Sequence, residues 1–111
     1  MTVTARPLVT AQYAPNSETT LYTAPSGTRT IIDKCTGTNG TAGAVTLAIK
    51  IVANGGSASA ANQVISKSLA AGEAYTFPEV VGHVLETGGF VSVLAGAASS
   101  VVIRMSGREV T

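Results

Sequence analysis

Turn-forming residues cut this chain into short segments, and that spacing constrains its fold more than any other feature. Pro25-Ser26-Gly27, Asn39-Gly40, Asn54-Gly55-Gly56, Ala71-Gly72, Thr87-Gly88-Gly89, Gly96 and Ser106-Gly107 punctuate it at short intervals. Gly and Asn tolerate the backbone conformations that tight turns demand. The segments between are rich in Val and Thr, whose branched side chains suit a pleated surface, while the strong helix formers Glu, Lys, Gln and Arg are scarce. Short strands bounded by regular turns predict an all-β antiparallel sandwich of about eight strands, for which a jelly-roll path is one available topology.

The clearest strand runs from Ala44 to Ala53: Val45, Leu47, Ile49 and Ile51 share one face, and Thr46, Ala48 and Lys50 the other. Near the C-terminus Val101, Ile103 and Met105 alternate with Val102, Arg104 and Ser106. Phe90 to Ala95 is apolar almost throughout, as a strand covered on both faces would be. Ala74 to Glu79 carries Tyr75 and Phe77 on one side, with Pro78 marking an edge strand or a strand end. Glu18 to Thr23, Arg29 to Thr38 and Asn62 to Leu69 are further strands, and Leu8 to Tyr13 is an eighth. Within Ile31-Ile32-Asp33-Lys34-Cys35, strict alternation would bury Asp33 beside Ile31 and Cys35. A buried Asp33 needs a partner such as Lys34 or an arginine, and a bulge that shifts the parity is the simpler account. Ser57 to Ala61 reads as a flexible loop or one helical turn.

The balance of seven Lys and Arg against six Asp and Glu excludes a protein that grips nucleic acid by charge. A hydrophobic fraction of 45% excludes a disordered chain. No segment approaches the length of an apolar membrane helix. Residues Met1 to Pro7 lack the basic start and apolar run of a signal peptide, so synthesis and folding in a cytoplasm are expected. Cys35 is the single cysteine, which precludes an internal disulfide and a four-cysteine metal site.

Reactive constellations are equally sparse. A Cys35–His83 pair is conceivable, but Cys35 lies in an apolar strand pattern, where free cysteine packs as a small hydrophobe. His83 reads as a loop residue bonded to local backbone, or as part of a subunit contact. A carboxylate pair for hydrolysis would draw on Asp33, Glu18, Glu73, Glu79, Glu86 and Glu109, and needs a cleft that so small a sandwich hardly offers. No phosphate loop or clustered calcium ligands occur. The chain is therefore expected to be non-enzymatic and to use no cofactor and no metal. Tyr13, Tyr22 and Tyr75 could line a sugar-stacking platform, the basis of an alternative reading as a small carbohydrate-binding module, although such platforms usually also employ Trp, which is absent.

Only 12% of residues are charged, about half the share in an average soluble domain. Outward strand positions are Thr, Ser and Ala instead. Protein interfaces are depleted in charge, so this surface suits a subunit covered by its neighbours. Residues 1–15, bounded by Pro7 and Pro15, read as an extended arm able to add a strand to a neighbouring sheet, ahead of a single sandwich domain over 16–111. Arg6, Leu8, Val9 and Tyr13 are the expected intersubunit contacts within that arm.

Several segments carry a family resemblance: Leu21-Tyr22-Thr23-Ala24-Pro25-Ser26-Gly27-Thr28-Arg29-Thr30-Ile31-Ile32, Thr36-Gly37-Thr38-Asn39-Gly40, Leu69-Ala70-Ala71-Gly72-Glu73, Leu85-Glu86-Thr87-Gly88-Gly89-Phe90-Val91-Ser92-Val93 and Val101-Val102-Ile103-Arg104-Met105-Ser106-Gly107-Arg108-Glu109. This layout resembles the short β-sandwich structural proteins of tailed-bacteriophage virions. The resemblance implies a virion component, assembled in the host cytoplasm, that binds other virion proteins: the major capsid protein or tail proteins. A capsid decoration or cement protein, homo-oligomeric and often trimeric in such families, is the first expectation. A tail, baseplate or fibre-attachment subunit is the second. The resemblance marks no catalytic residue, and no nucleic-acid or membrane partner is expected.

Overall fold

A computed structural model describes all 111 residues. The chain forms nine strands: β1 (Val3–Tyr13), β2 (Thr19–Thr23), β3 (Arg29–Asn39), β4 (Val45–Val52), β5 (Gln63–Leu69), β6 (Ala74–Thr76), β7 (Val84–Leu85), β8 (Phe90–Ala95) and β9 (Val101–Val110). They build two antiparallel sheets packed face to face. Sheet A has the order β1-β9-β3-β6, with β7 also paired to β3; sheet B has the order β2-β8-β4-β5. β6 and β7 occupy successive stretches of one edge and count as a single broken strand. The pairings then nest, β4 with β5 innermost and β1 with β9 outermost, while the remaining connections pass from one sheet to the other. That is a jelly roll.

The sequence pattern explains most of these elements. Val45, Leu47 and Ile49 enter the core from β4, Val91, Val93 and Ala95 from β8, and Val101, Ile103 and Met105 from β9. The expected strand at Ala74 ends after three residues, because Pro78 cannot donate to the ladder and Phe77 turns inward to become the largest fully buried side chain. The alanine-rich stretch before β5 closes in a single 3-10 turn, Ala60–Asn62, capped by the Ser59 side chain. The two-residue β7 was not legible, since Val84-Leu85 is too short to show a period.

Two expectations about the first half are resolved by bulges. The register of β3 on β9 shifts between Ile32 and Lys34, so Ile32 and Cys35 both face the core while Asp33 and Lys34 both face solvent. Residues 1–15, expected as an arm, instead supply the outer strand of this chain's own sheet A. β1 pairs with β9 from Val3↔Val110 to Tyr13↔Val102, with register shifts after Pro7 and after Val9. The first shift lets the consecutive residues Leu8 and Val9 both enter the core, and that apolar pair is what holds the segment against its own chain.

Two glycines on the inner face make this packing possible. A Cβ at Gly107 in β9 would run into the Ile31 carbonyl oxygen and the Leu8 side chain. One at Gly37 in β3 would stand 2.9 Å from Cε2 of Phe77. Gly107→Ala is therefore expected to destabilise by about 3 kcal/mol, since the opposing carbonyl is backbone and cannot step aside. Gly37→Ala should cost about 1 to 2 kcal/mol, because the Phe77 ring can give. Gly40→Ala, into open space, should be neutral within about 0.5 kcal/mol. Urea unfolding of the three variants measures the order, and equal effects at Gly107 and Gly40 would refute it.

Candidate assembly surface

Sheet A presents its outer face through alternation about the β3 bulge. Lys34, Thr36 and Thr38 of β3 point away from the core, between the inward Cys35, Gly37 and Asn39. Val102, Arg104 and Ser106 of β9 do the same between Val101, Ile103 and Met105. Antiparallel pairing sets Lys34 beside Ser106, Thr36 beside Arg104 and Thr38 beside Val102. With Ala11 of β1 these residues line a shallow concavity of about 480 Å³. Its chemistry is hydroxyls, small apolar groups and two cations, with no acid in the lining. Neither Lys34 nor Arg104 was singled out from sequence. Their shared face becomes visible only once the bulge has fixed the parity of β3.

The other charges are largely spent inside the molecule. Asp33 receives a two-pronged bond from Arg108, Nε to Oδ2 and Nη2 to Oδ1, both at 3.0 Å. Arg29 pairs with Glu86 at 2.9 Å. Lys50, 6% exposed, is bonded to Glu18, whose other oxygen accepts from Ser92 at 2.6 Å. Burial pushes the Glu18 carboxyl up, but the bonds from Lys50 and Ser92 outweigh it and hold it below the usual carboxylate range. Glu109, also buried, accepts from Arg6 at 3.1 Å and from the Tyr22 hydroxyl, which also meets Thr30 at 2.7 Å. This cluster joins β1, β9 and β3 of sheet A to β2 of sheet B. No buried side-chain nitrogen or oxygen is left without a partner.

The expected contact residues fall in two groups. Leu8 and Val9 belong to the core of this chain, so burial withdraws them from any surface a neighbour could meet. Arg6 stays half-exposed while bound to Glu109, and Tyr13 is 56% exposed at the end of β1. The three tyrosines share no face: Tyr13 is on one edge of sheet A, Tyr75 on the opposite edge, and Tyr22 in sheet B. Tyr75 packs edge-on against Phe77 at 4.9 Å between ring centroids. His83 is exposed in the turn before β7, with its backbone bonded to Ile32 and Val80. Cys35 is fully buried in β3, remote from that turn's surface. No group of three or more His, Cys, Asp or Glu side chains is arranged to hold a metal ion.

No family model matches this chain, and no curated protein matches it. Among solved structures it is similar to a protein of Bacillus endospore appendages, described as a family of disulfide-linked pili. The identity is 15% and the TM-score 0.53, over 99% of this chain and 88% of that chain. At this identity the likeness establishes the shared β-sandwich fold and nothing finer. It is a likeness to a bacterial appendage protein rather than to a phage particle.

Cys35 bears on any comparison with a disulfide-linked assembly. Burial pushes its thiol up to about 12, so almost no thiolate exists at neutral pH. The folded protein is expected to react with a thiol-specific reagent such as DTNB only at its rate of unfolding, and at once in concentrated urea. Rapid labelling of the native protein would show that β3 opens on its own.

The same burial has a consequence at high pH. Desolvation raises the Cys35 thiol from 9.0 and the Tyr22 hydroxyl from 10.0 to about 12 each, with the neighbouring Glu109 carboxylate adding to the shift at Tyr22. Both groups hold their protons more tightly folded than unfolded. The stability they contribute is complete below the ordinary values and disappears as pH rises through about 12. The urea midpoint should fall steadily from pH 9 upward, and Tyr22→Phe should flatten the upper part of that fall. A midpoint constant to pH 11 would contradict it.

Proposed function

We propose that this chain is a non-enzymatic structural subunit that works by assembling with other proteins through its sheet surfaces. The observation that carries the reading is the outer face of sheet A, a concavity of threonine, serine, alanine and valine whose two cations have no partner within the chain. With only 12% of its residues charged, the chain as a whole has a surface that resembles an interface more than it does the coat of a solitary domain. The folding of residues 1–15 into sheet A moves the expected contact surface away from a free arm and onto the sheets themselves.

The finer reading rests on the resemblance to tailed-phage virion sandwiches. It makes the chain a virion structural protein, assembled in the host cytoplasm, with capsid decoration or cement as the first role and tail, baseplate or fibre attachment as the second. The partners are then the major capsid protein or tail proteins, and further copies of the chain. Modest contacts repeated over many copies suffice for stable attachment, because each neighbour raises the effective concentration of the next. The likeness to the endospore appendage protein favours a second reading, a subunit of a surface filament. In that case burial of Cys35 makes the contacts of this chain non-covalent. The carbohydrate-binding alternative is weakened by the dispersal of Tyr13, Tyr22 and Tyr75.

Immunogold electron microscopy with antibodies against the purified chain tests the proposal on particles from cultures that produce it. Regular label on capsid shells is expected. Label on tails or baseplates would favour the second virion role, and label along filaments the appendage reading. Label confined to soluble material would overturn a structural role.

A further inference from the structure

The ionisable groups of this chain do not balance locally. Four ion pairs, Arg6–Glu109, Arg29–Glu86, Lys50–Glu18 and Arg108–Asp33, leave Lys34, Lys67 and Arg104 among the cations and Glu73 and Glu79 among the acids. The Lys67 ammonium lies 4.8 Å from the centroid of the Tyr75 ring, a cation–π contact. Lys34 and Arg104 have neither an ion-pair nor a hydrogen-bond partner, and they are diagonal neighbours on the concave outer face of sheet A. Two like charges so placed repel, and a negative group seated between them relieves that repulsion.

The two remaining acids lie at opposite ends of one short strand, where they outnumber the single cation, Lys67 over the Tyr75 ring. Glu73 and Glu79 flank β6, the three-residue edge strand of the same sheet. Glu73 sits in the turn from Ala70, its Oε1 accepting from the Ala70 amide at 2.8 Å. Glu79 sits in the turn after Phe77 and accepts from the Tyr75 hydroxyl at 3.3 Å. Both carboxylates lie close enough to Tyr75 to push its hydroxyl up, beyond the effect of desolvation. Glu79 is exposed and Glu73 half-buried. β6 itself is too short, and too closely followed by Pro78, to accept an added strand, so a contact at this edge is made by side chains.

We propose that the concave face bearing Lys34 and Arg104 receives the Glu73/Glu79 edge of a second copy of this chain. The two surfaces are different parts of the molecule, so the contact is heterologous. Each copy that docks leaves one face and one edge free, and growth proceeds to a ring or an open chain. The hydroxyls of Thr36, Thr38 and Ser106 surround the cations and offer donors to the incoming carboxylates. Exposed ion pairs are weak and screened by salt, so the contact is weak singly and gains strength in an array. The inference rests on the assembly reading above and names the partner at that surface.

Sedimentation velocity of the full chain tests it. At about 20 mM salt the weight-average mass should rise with concentration, and at about 0.5 M salt, where the Debye length falls below about 5 Å, it should return to that of the monomer. Lys34→Glu/Arg104→Glu should weaken association at least tenfold, and Glu73→Gln/Glu79→Lys should do the same while keeping the Ala70 turn bond. Mixing these two variants pairs an acidic edge with a basic face and a basic edge with an acidic face, so association should reappear. That recovery separates lost docking from lost folding. Association insensitive to salt and to both variants would overturn the proposal and leave a structural role through another surface standing. A wild-type monomer at every concentration in low salt would also overturn it, while the immunogold result decides the structural role independently.

Discussion

Two side chains entering two glycine sites hold sheet A together from its edges. Gly37 and Gly107 face inward from the adjacent central strands β3 and β9. Phe77, at the end of β6, lies over Gly37, and Leu8, from β1, lies over Gly107. With two phenylalanines and no tryptophan, the chain has few large groups with which to fill the space between its sheets. Removing Cβ atoms from the central strands brings the sheets into contact with those few. Each edge strand is thereby tied to the middle of its sheet by one buried hydrophobe, in addition to its ladder of backbone bonds. This is why β1 behaves as a strand of the core and not as an arm. Freeing it would expose Leu8 and Val9 and empty the site over Gly107, at a cost typical of vacating large core side chains, about 2 to 5 kcal/mol each.

Charge that enters between the sheets loses its hydration, so each buried polar side chain takes a partner within the chain. Glu109 meets Arg6, Tyr22 and Thr30, and Lys50 meets Glu18. Asn39, fully buried, donates to the Gly43 and Leu69 carbonyls and accepts from the Thr41 amide and hydroxyl, tying the β3–β4 turn to the end of β5. These bonds fix registry between the sheets more than they add stability, since paired buried charges roughly offset their own desolvation. With the exposed pairs Arg29–Glu86 and Arg108–Asp33, they leave few ionisable groups without a partner in the chain.

Much of this was legible in the sequence. Period-2 alternation located β4 and β9, continuous apolarity located β8, and Pro78 ended β6. The turn residues fixed the all-β class. Where alternation breaks, the sequence alone was ambiguous. Leu8 to Tyr13 was legible as a strand, but that Leu8 and Val9 both face inward was not, because it depends on a bulge and on the site over Gly107 far downstream. The parity break at Asp33 was readable as a bulge, which leaves Asp33 on the outer face, where it pairs with Arg108. That Lys34 and Arg104 share a face was not legible, because a surface pair is defined by strand neighbours, which a single sequence does not specify.

A shared sandwich does not carry a shared mode of linkage. The Bacillus appendage protein is described as building disulfide-linked pili, and covalent bonds of that kind need thiols at the surface. Here the single cysteine is spent on packing beneath β3, and its desolvated thiol is unfit for exchange. In the assembly proposed above, cohesion between copies would come from weak contacts, with the two surfaces of unmatched charge setting their direction. Face and edge lie on one sheet and are opposite in sign, so like surfaces repel and unlike surfaces attract. In the proposed contact such a subunit resists back-to-back pairing and favours head-to-side order, a polarity set by the carboxylates and cations that the four ion pairs leave over.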